Sequence, residues 1–227
     1  MRKFAISDIH GCADTFETLL EKIQFTTNDE LYLLGDYIDR GPNSKGVIDE
    51  IWQLQEEGYQ VQCLRGNHEQ LMLDAQTDRQ SSYIWQMNGG DKAMDSFGAL
   101  TYNEIPQRYI EWMENLPYYF EVDNFILVHA GFKFDMHNPF EEKHAMIWQR
   151  GWYQRINYNW LGDRIIVHGH TPMSSFEIDN SFATIQETQY LDIDAGCVFK
   201  NRIAGGGQLC AFDLTNMKLI FQKNIEY

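Results

Sequence analysis

No stretch of this sequence approaches the roughly 18–20 consecutive apolar residues that a bilayer-spanning helix requires. The short apolar segment after Met1-Arg2-Lys3 runs straight into Ser7-Asp8 and not into a secretory core. The expectation is a cytoplasmic protein with no membrane partner. The four cysteines, Cys12, Cys63, Cys197 and Cys210, show no CxxC spacing, so reduced thiols are expected in place of a zinc knuckle or a disulfide framework. Basic residues are scarce: 18 Lys and Arg stand against 33 Asp and Glu, a formal net charge of −15. A surface of that sign repels polyphosphate backbones, which argues against non-specific nucleic-acid binding. Bound divalent cations would reverse the sign locally. The five prolines form no Pro/Ser-rich linker, and no repeat or low-complexity segment is visible.

What is present is ample material for a core. The 227 residues are 44% hydrophobic and 14% aromatic, the composition of a folded chain and not a disordered one. Apolar runs Phe4–Ile6, Leu31–Leu34 and Gln60–Leu64 read as strands. Between them, helical periodicity spans Ala13–Gln24 and Ser44–Glu57, which Gly58 closes. That βαβαβ order predicts parallel strands with right-handed crossovers. Helices and loops are expected over Glu69–Asn115, with Tyr109, Trp112, Met113 and Leu116 forming one apolar helix face. Strands are expected at Tyr118–Val122, Phe125–His129 and Ile165–His168. Antiparallel strands are expected from Asp179 to the C-terminus, the last pair turning around Asp213-Leu214-Thr215-Asn216. The expected fold is an α/β sandwich with mixed sheets, in one domain covering 1–227.

The polar residues gather at the carboxyl ends of these strands. The stretch "LYLLGDYIDRGP" ends a buried strand in Asp36, Asp39 and Arg40. The first strand runs into "SDIHG" with Asp8 and His10, the third into "RGNHE" with Asn67 and His68. Later strands give "VHAG" with His129 and "VHGHTP" with His168 and His170. In a parallel sheet such loops converge on one crevice. Asp8 and His10, two residues apart, leave the same face of an extended backbone, a spacing that suits a metal accepting both carboxylate and imidazole. Left unpaired at one buried place, these groups would cost some kcal/mol each.

The ordered set "SDIHG…GDYIDRG…RGNHE…VHAG…GHT" resembles the calcineurin-like metallophosphoesterase superfamily. Within it, the chain is similar to the bacterial and phage branch of the PPP-type serine/threonine protein phosphatases, through "GNHEQ", "NGG" at Asn88–Gly90 and Ile147–Arg150. Symmetrical diadenosine tetraphosphatases share the blocks. The resemblance implies a metallophosphoesterase fold and two divalent ions, manganese first, with iron, zinc or cobalt as other choices. Carried over by position, Asp8, His10 and Asp36 would hold one ion. Asp36 would bridge to a second, completed by Asn67, His129 and His170. Asp39 would pair with His68 and lift its pKa, so that His68 can donate to the leaving oxygen. Arg40 and Arg150 would grip the phosphoryl oxygens, with Arg155 as a substitute for the second. The implied chemistry is single-step hydrolysis by a metal-bound hydroxide. The implied partner is a phosphorylated protein or a small phosphoester, with dinucleoside polyphosphates or nucleotide caps as the alternative.

Beyond the motifs, substrate selection is expected from the insert around Trp85–Asp91 and from Gly131–Trp152, with Lys133, His137 and His144. Trp85 and Met87 line the cleft or belong to the core. His168 is either a packed imidazole or one that touches a metal. The stretch "DIDAGCVFKNRIAGGGQLCAFDL" resembles the family's strand-turn-strand, with additional residues through Lys200–Gly206.

Overall fold

Period-two alternation along the strands decides the layering. The computed structural model describes residues 1–200 and 204–226, so part of the Lys200–Gly206 segment singled out above lies outside the described residues. The strands are β1 (Lys3–Ile6), β2 (Glu30–Leu33), β3 (Gln60–Cys63), β4 (Tyr119–Val122), β5 (Phe125–Val128), β6 (Ile165–His168), β7 (Tyr190–Asp192), β8 (Gln208–Asp213) and β9 (Lys218–Lys223). One sheet has the order β3-β2-β1-β8-β9 and the other β4-β5-β6-β7. The first three strands are parallel, as their alternation with α1 (Ala13–Lys22) and α2 (Ser44–Glu56) predicts, and β8 and β9 add an antiparallel pair.

Ala5, Tyr32, Leu34, Cys210 and Phe212 face inward, against Phe125, Leu127, Ile165 and Val167 of the second sheet. Their neighbours Phe4, Ile6, Leu31, Leu33 and Ala211 face outward and pack on Phe16 and Leu19 of α1 and Ile48 and Ile51 of α2. On the far side, Ile126, Val128 and Ile166 pack with Phe132 and Trp152. The result is four layers, helices on sheet on sheet on helices and loops. All four cysteines are buried free thiols. Among the described residues, no helix is long and apolar enough to cross a membrane.

The middle of the chain is helical: α3 (Asn67–Asp74), α4 (Arg79–Trp85), a wide turn over Gln86–Gly90, α5 (Asp91–Phe97) and α6 (Gln107–Glu114). The predicted apolar face is in the core, with Tyr109 and Met113 of α6 and Leu116 just beyond its end buried and Trp112 packed against them. Then come α7 (Lys143–Trp148), α8 (Tyr158–Leu161), α9 (Ser175–Ala183) and α10 (Ile185–Thr188). The last two correct the strand expected from Asp179, because the chain is helical until β7 begins at Tyr190. The overlooked signal is a capping box. The Ser174 hydroxyl accepts from the Glu177 backbone, and the Glu177 carboxylate accepts from the Ser174 backbone. That arrangement starts a helix whatever the strand propensity of the residues after it.

Candidate metal centre

Loops leaving β1, β2, β3, β5 and β6 meet at one end of the sandwich. The loop after β1 is zipped to the loop after β2: the backbone N–H groups of His10 and Gly11 donate to the carbonyls of Asp36 and Tyr37 at 2.9 and 2.8 Å. The second sheet is tied in by the His170 backbone N–H, which donates to Asp8 Oδ2 at 3.0 Å. Holding side chains at this junction strains the backbone. Ten non-glycine residues among those described have positive φ, and six of them are Asp8, His10, Asp36, Asp39, Arg40 and His170. Aspartate and histidine tolerate the left-handed region better than most residues. The strain, of order 1–3 kcal/mol per residue, is the kind that persists where surrounding structure over-determines it.

Two groups of ligand atoms result, both buried: His10, Asp36 and His68, and Asp36, His129 and His170. Asp36 belongs to both. Its Oδ2 lies 3.5 Å from His10 Nε2 and its Oδ1 lies 3.5 Å from His129 Nε2. Asn67 joins the second group, its Oδ1 lying 3.0 Å from His129 Nε2 and 2.8 Å from His170 Nδ1. Asp8 stands outside both compact groups, held by Ser7 Oγ and the His170 N–H.

The donor set fits a pair of cations. His10 and His129 each give their Nδ1 proton to a backbone carbonyl, Ile38 at 2.8 Å and Leu34 at 2.9 Å, which leaves the Nε2 lone pairs aimed inward. Burial pushes the pKa of His10 well below the ordinary imidazole value, lowers that of His129, and pushes that of His170 to about 2. The Nε2 atoms of His10 and His129 therefore face the Asp36 carboxyl, and that of His129 also faces the Asn67 amide oxygen. His170 Nε2 is buried without a partner among the described residues. At the first group a cation already intrudes: Arg40 Nη1 lies 2.6 Å from His10 Nε2.

Beside the first group, His68 Nδ1 and Asp39 Oδ2 are 2.6 Å apart and fully buried. The sequence argument that Asp39 lifts the pKa of His68 is reversed. Burial pushes His68 well below its ordinary value, helped by His10 and Arg40, and burial pushes Asp39 well above its own. Desolvation of two groups taken wholly out of water outweighs a single ion pair, so the pair holds one shared proton in place of two full charges.

Two residues with larger parts than the sequence suggests are Trp85 and Glu69. Trp85 is in the core, and its indole N–H donates to both Asp39 oxygens at 3.0 and 3.1 Å. Met87 is 69% exposed. The Glu69 carboxylate accepts three backbone N–H groups at 2.9 Å, from Asp36, Tyr37 and Gly66, and so shapes the turn that aims Asp36. Its signal was the fourth position of "GNHE", three residues after the helix cap. Glu69→Ala orphans all three donors. It should destabilise the metal-free protein by about 3 kcal/mol or more, read as a lower urea midpoint with an unchanged slope.

Gly89, inside the wide turn, has φ 103°. Its carbonyl accepts the Arg40 N–H at 3.1 Å, and a Cβ there would stand 2.7 Å from the Arg40 nitrogen. Gly89→Ala should therefore move Arg40. We expect a KM for phosphoester raised about tenfold, the effect of losing roughly one charge-assisted hydrogen bond; initial-rate kinetics at fixed metal concentration check this.

Of the remaining candidates, Arg150 is exposed and its Nη1 donates to Thr171 Oγ1 at 3.0 Å, next to His170. Arg155 lines a cavity with Lys133, Phe134 and Trp152. His137 is exposed. His168 is packed: its Nδ1 donates to Gly169 O at 2.9 Å, and its ring sits against Trp152 and Tyr153. Burial pushes its pKa to about 4.

A family description, calcineurin-like phosphoesterase, matches residues 1–195. The chain belongs to the calcineurin-like phosphoesterase family. It is a hydrolase acting on phosphoester bonds, in a family that depends on metal ions. It is 31% identical to serine/threonine-protein phosphatase 1 of Salmonella typhimurium, over 91% of this chain and 88% of that protein. It is 27% identical to the asymmetrical bis(5'-nucleosyl)-tetraphosphatase PrpE of Oceanobacillus iheyensis, over 87% of this chain and 85% of that one. Among solved structures, a protein serine/threonine phosphatase from Saccharomyces cerevisiae superposes with a TM-score of 0.71 at 16% identity, covering 100% of this chain and 81% of that one. The last comparison concerns the fold alone.

Proposed function

We propose that this phosphoesterase hydrolyses phosphate monoesters at a two-metal centre, with phosphoserine and phosphothreonine side chains of proteins as its substrate class. The observation that carries the reading is Asp36, the one carboxylate common to two buried groups of ligand atoms. Two dications about 3.5–4 Å apart repel each other unless negative oxygen lies between them. Asp8, His10 and Asp36 would hold one ion, and Asp36, Asn67, His129 and His170 the other, with manganese the expected metal. When bound, such a pair supplies Lewis acidity toward phosphoryl oxygens and acidifies water.

The chain's own groups do the rest. Arg40, lifted from His10, offers its planar fork to non-bridging oxygens, and Arg150 closes from the second sheet. His68, oriented by Asp39, which Trp85 holds, delivers the shared proton to the leaving oxygen. The strained loops hold these groups in place before substrate arrives, so little reorganisation is left to the reaction.

A second substrate reading, cleavage of the anhydride of a dinucleoside polyphosphate, is supported by the 27% identity to a bis(5'-nucleosyl)-tetraphosphatase over 87% of this chain. Metal analysis of the freshly purified protein, joined to phosphopeptide and diadenosine tetraphosphate assayed under one metal, tests both readings. Two equivalents of metal and turnover of the phosphopeptide are expected. A protein that takes up no transition ion refutes the two-metal centre, and cleavage of the tetraphosphate alone refutes the protein substrate.

A further inference from the structure

Between α3 and α7 lies a groove of about 350 Å³, within the size range of small-molecule sites. It is lined by Trp148, His144, Tyr118, Lys143, Gln70 and Asp74. Trp148 connects it to the metal centre, its half-buried ring lying edge-on to His170 with centroids 6.3 Å apart. His144, one helical turn earlier, holds its ring nearly parallel to Trp148, tilted by 25°. The Tyr118 ring also lines the groove and carries Arg65 at 5.0 Å and Lys143 at 5.1 Å.

The polar floor is oriented. Gln70 Oε1 accepts from Arg65 Nη1 at 3.0 Å, so the Gln70 amide N–H must point away, and it donates to Asp74 Oδ1 at 2.8 Å. Asp74 is exposed, and among the described residues its Oδ2 accepts no hydrogen bond. In a chain of net charge −15, Lys143 lines this groove and Arg150 bonds Thr171, next to His170.

We propose that this groove is a nucleoside subsite. A purine stacks on Trp148 and His144, Asp74 Oδ2 accepts from an amino group on the base edge, and Lys143 meets the phosphate chain on its way to the metals. The chemistry selects this occupant. Near-parallel aromatic planes take a flat ring, an oriented carboxylate takes a ring-edge donor, and a cation lining the same groove takes a phosphate. The proposal rests on the anhydride reading above, and it names which residues would recognise the nucleoside.

Binding without chemistry tests it. Adenosine and AMP are titrated into the metal-loaded protein by calorimetry. Adenosine should bind saturably. Trp148→Ala should weaken that binding about tenfold or more, the loss of one stacked base, and His144→Ala should weaken it less. Lys143→Glu, at an exposed position where folding is not at stake, should spare adenosine and abolish the preference for AMP. Adenosine binding that is absent in the wild type, or equal in wild type and all variants, overturns the subsite. Diadenosine tetraphosphate is then offered as substrate. If adenosine binding depends on Trp148 but no tetraphosphate is cleaved, the subsite stands and the anhydride reading falls.

Discussion

Replacing His68 by asparagine should lower kcat by about 10²- to 10⁴-fold, the usual worth of a positioned proton donor, while the protein retains both metal ions. The two halves of that expectation need each other. His68 lies inside the first compact group, its Nε2 only 3.9 Å from Asp36 Oδ2, so distance alone admits it as a ligand. Its other nitrogen, Nδ1, is 2.6 Å from Asp39, which Trp85 also holds. Such a partner would orient a metal ligand and a proton donor alike, so metal content decides between the two roles. The His68 backbone N–H, donating to Asp36 Oδ1 at 2.9 Å, survives the substitution, so the metal bridge stays aimed.

Leaving-group dependence sharpens the test. A proton donor matters most for an alkoxide and least for an acidic phenol. The loss in His68→Asn should therefore be large for a phosphoserine peptide and much smaller for an aryl phosphate. Equal losses on both substrates, together with metal missing by elemental analysis, would make His68 a ligand and not an acid.

The places where sequence reasoning succeeded and failed follow the range of the interactions. Parallel β1, β2 and β3 were legible because an apolar run ended by glycine and aspartate is a local pattern. The convergence of "SDIHG", "GDYIDRG", "RGNHE", "VHAG" and "GHT" was legible because strand order fixes where loops meet. Charge states were not. The shift of His68 depends on burial and on His10, Arg40, His129 and His170, which come from four loops, and no local pattern reports their sum. Trp85 could not be placed for a similar reason: its indole meets Asp39 across 46 residues. Glu69 and Ser174 were legible in principle, since both hold capping positions. They were passed over because the motif around the first reads as chemistry and the residues after the second read as strand. The groove beside Trp148 joins α3 to α7. Of its lining, His144 is legible as a substrate-selecting residue, while Ile147 and Trp148 enter only through the Ile147–Arg150 motif.

The other large effect is expected at Asp36. Asp36→Asn should strip both ions together, lowering metal affinity at each by at least tenfold and abolishing turnover, because one carboxylate serves both groups. His10→Ala should weaken one ion and His129→Ala the other. The metal-free protein should respond in the opposite direction. Burial raises the pKa of Asp36 well above the usual carboxylate range, with Asp8 and Glu69 adding repulsion. The folded state therefore binds this proton more tightly than the unfolded state, and the group costs stability as pH rises from the unfolded carboxylate value to the raised one.

Asparagine removes the charge and keeps an oxygen for the His68 N–H. Metal-free Asp36→Asn should then be about 1–3 kcal/mol more stable than the wild type at neutral pH, in line with removing an uncompensated buried charge. It should also lose stability less steeply with rising pH. Metal-saturated, the order inverts, because the wild type gains binding free energy that the variant cannot. Urea unfolding with and without metal, at two pH values, reads all of this. A variant that keeps one ion at wild-type affinity, or that is destabilised in both states, would show that Asp36 is not the shared ligand.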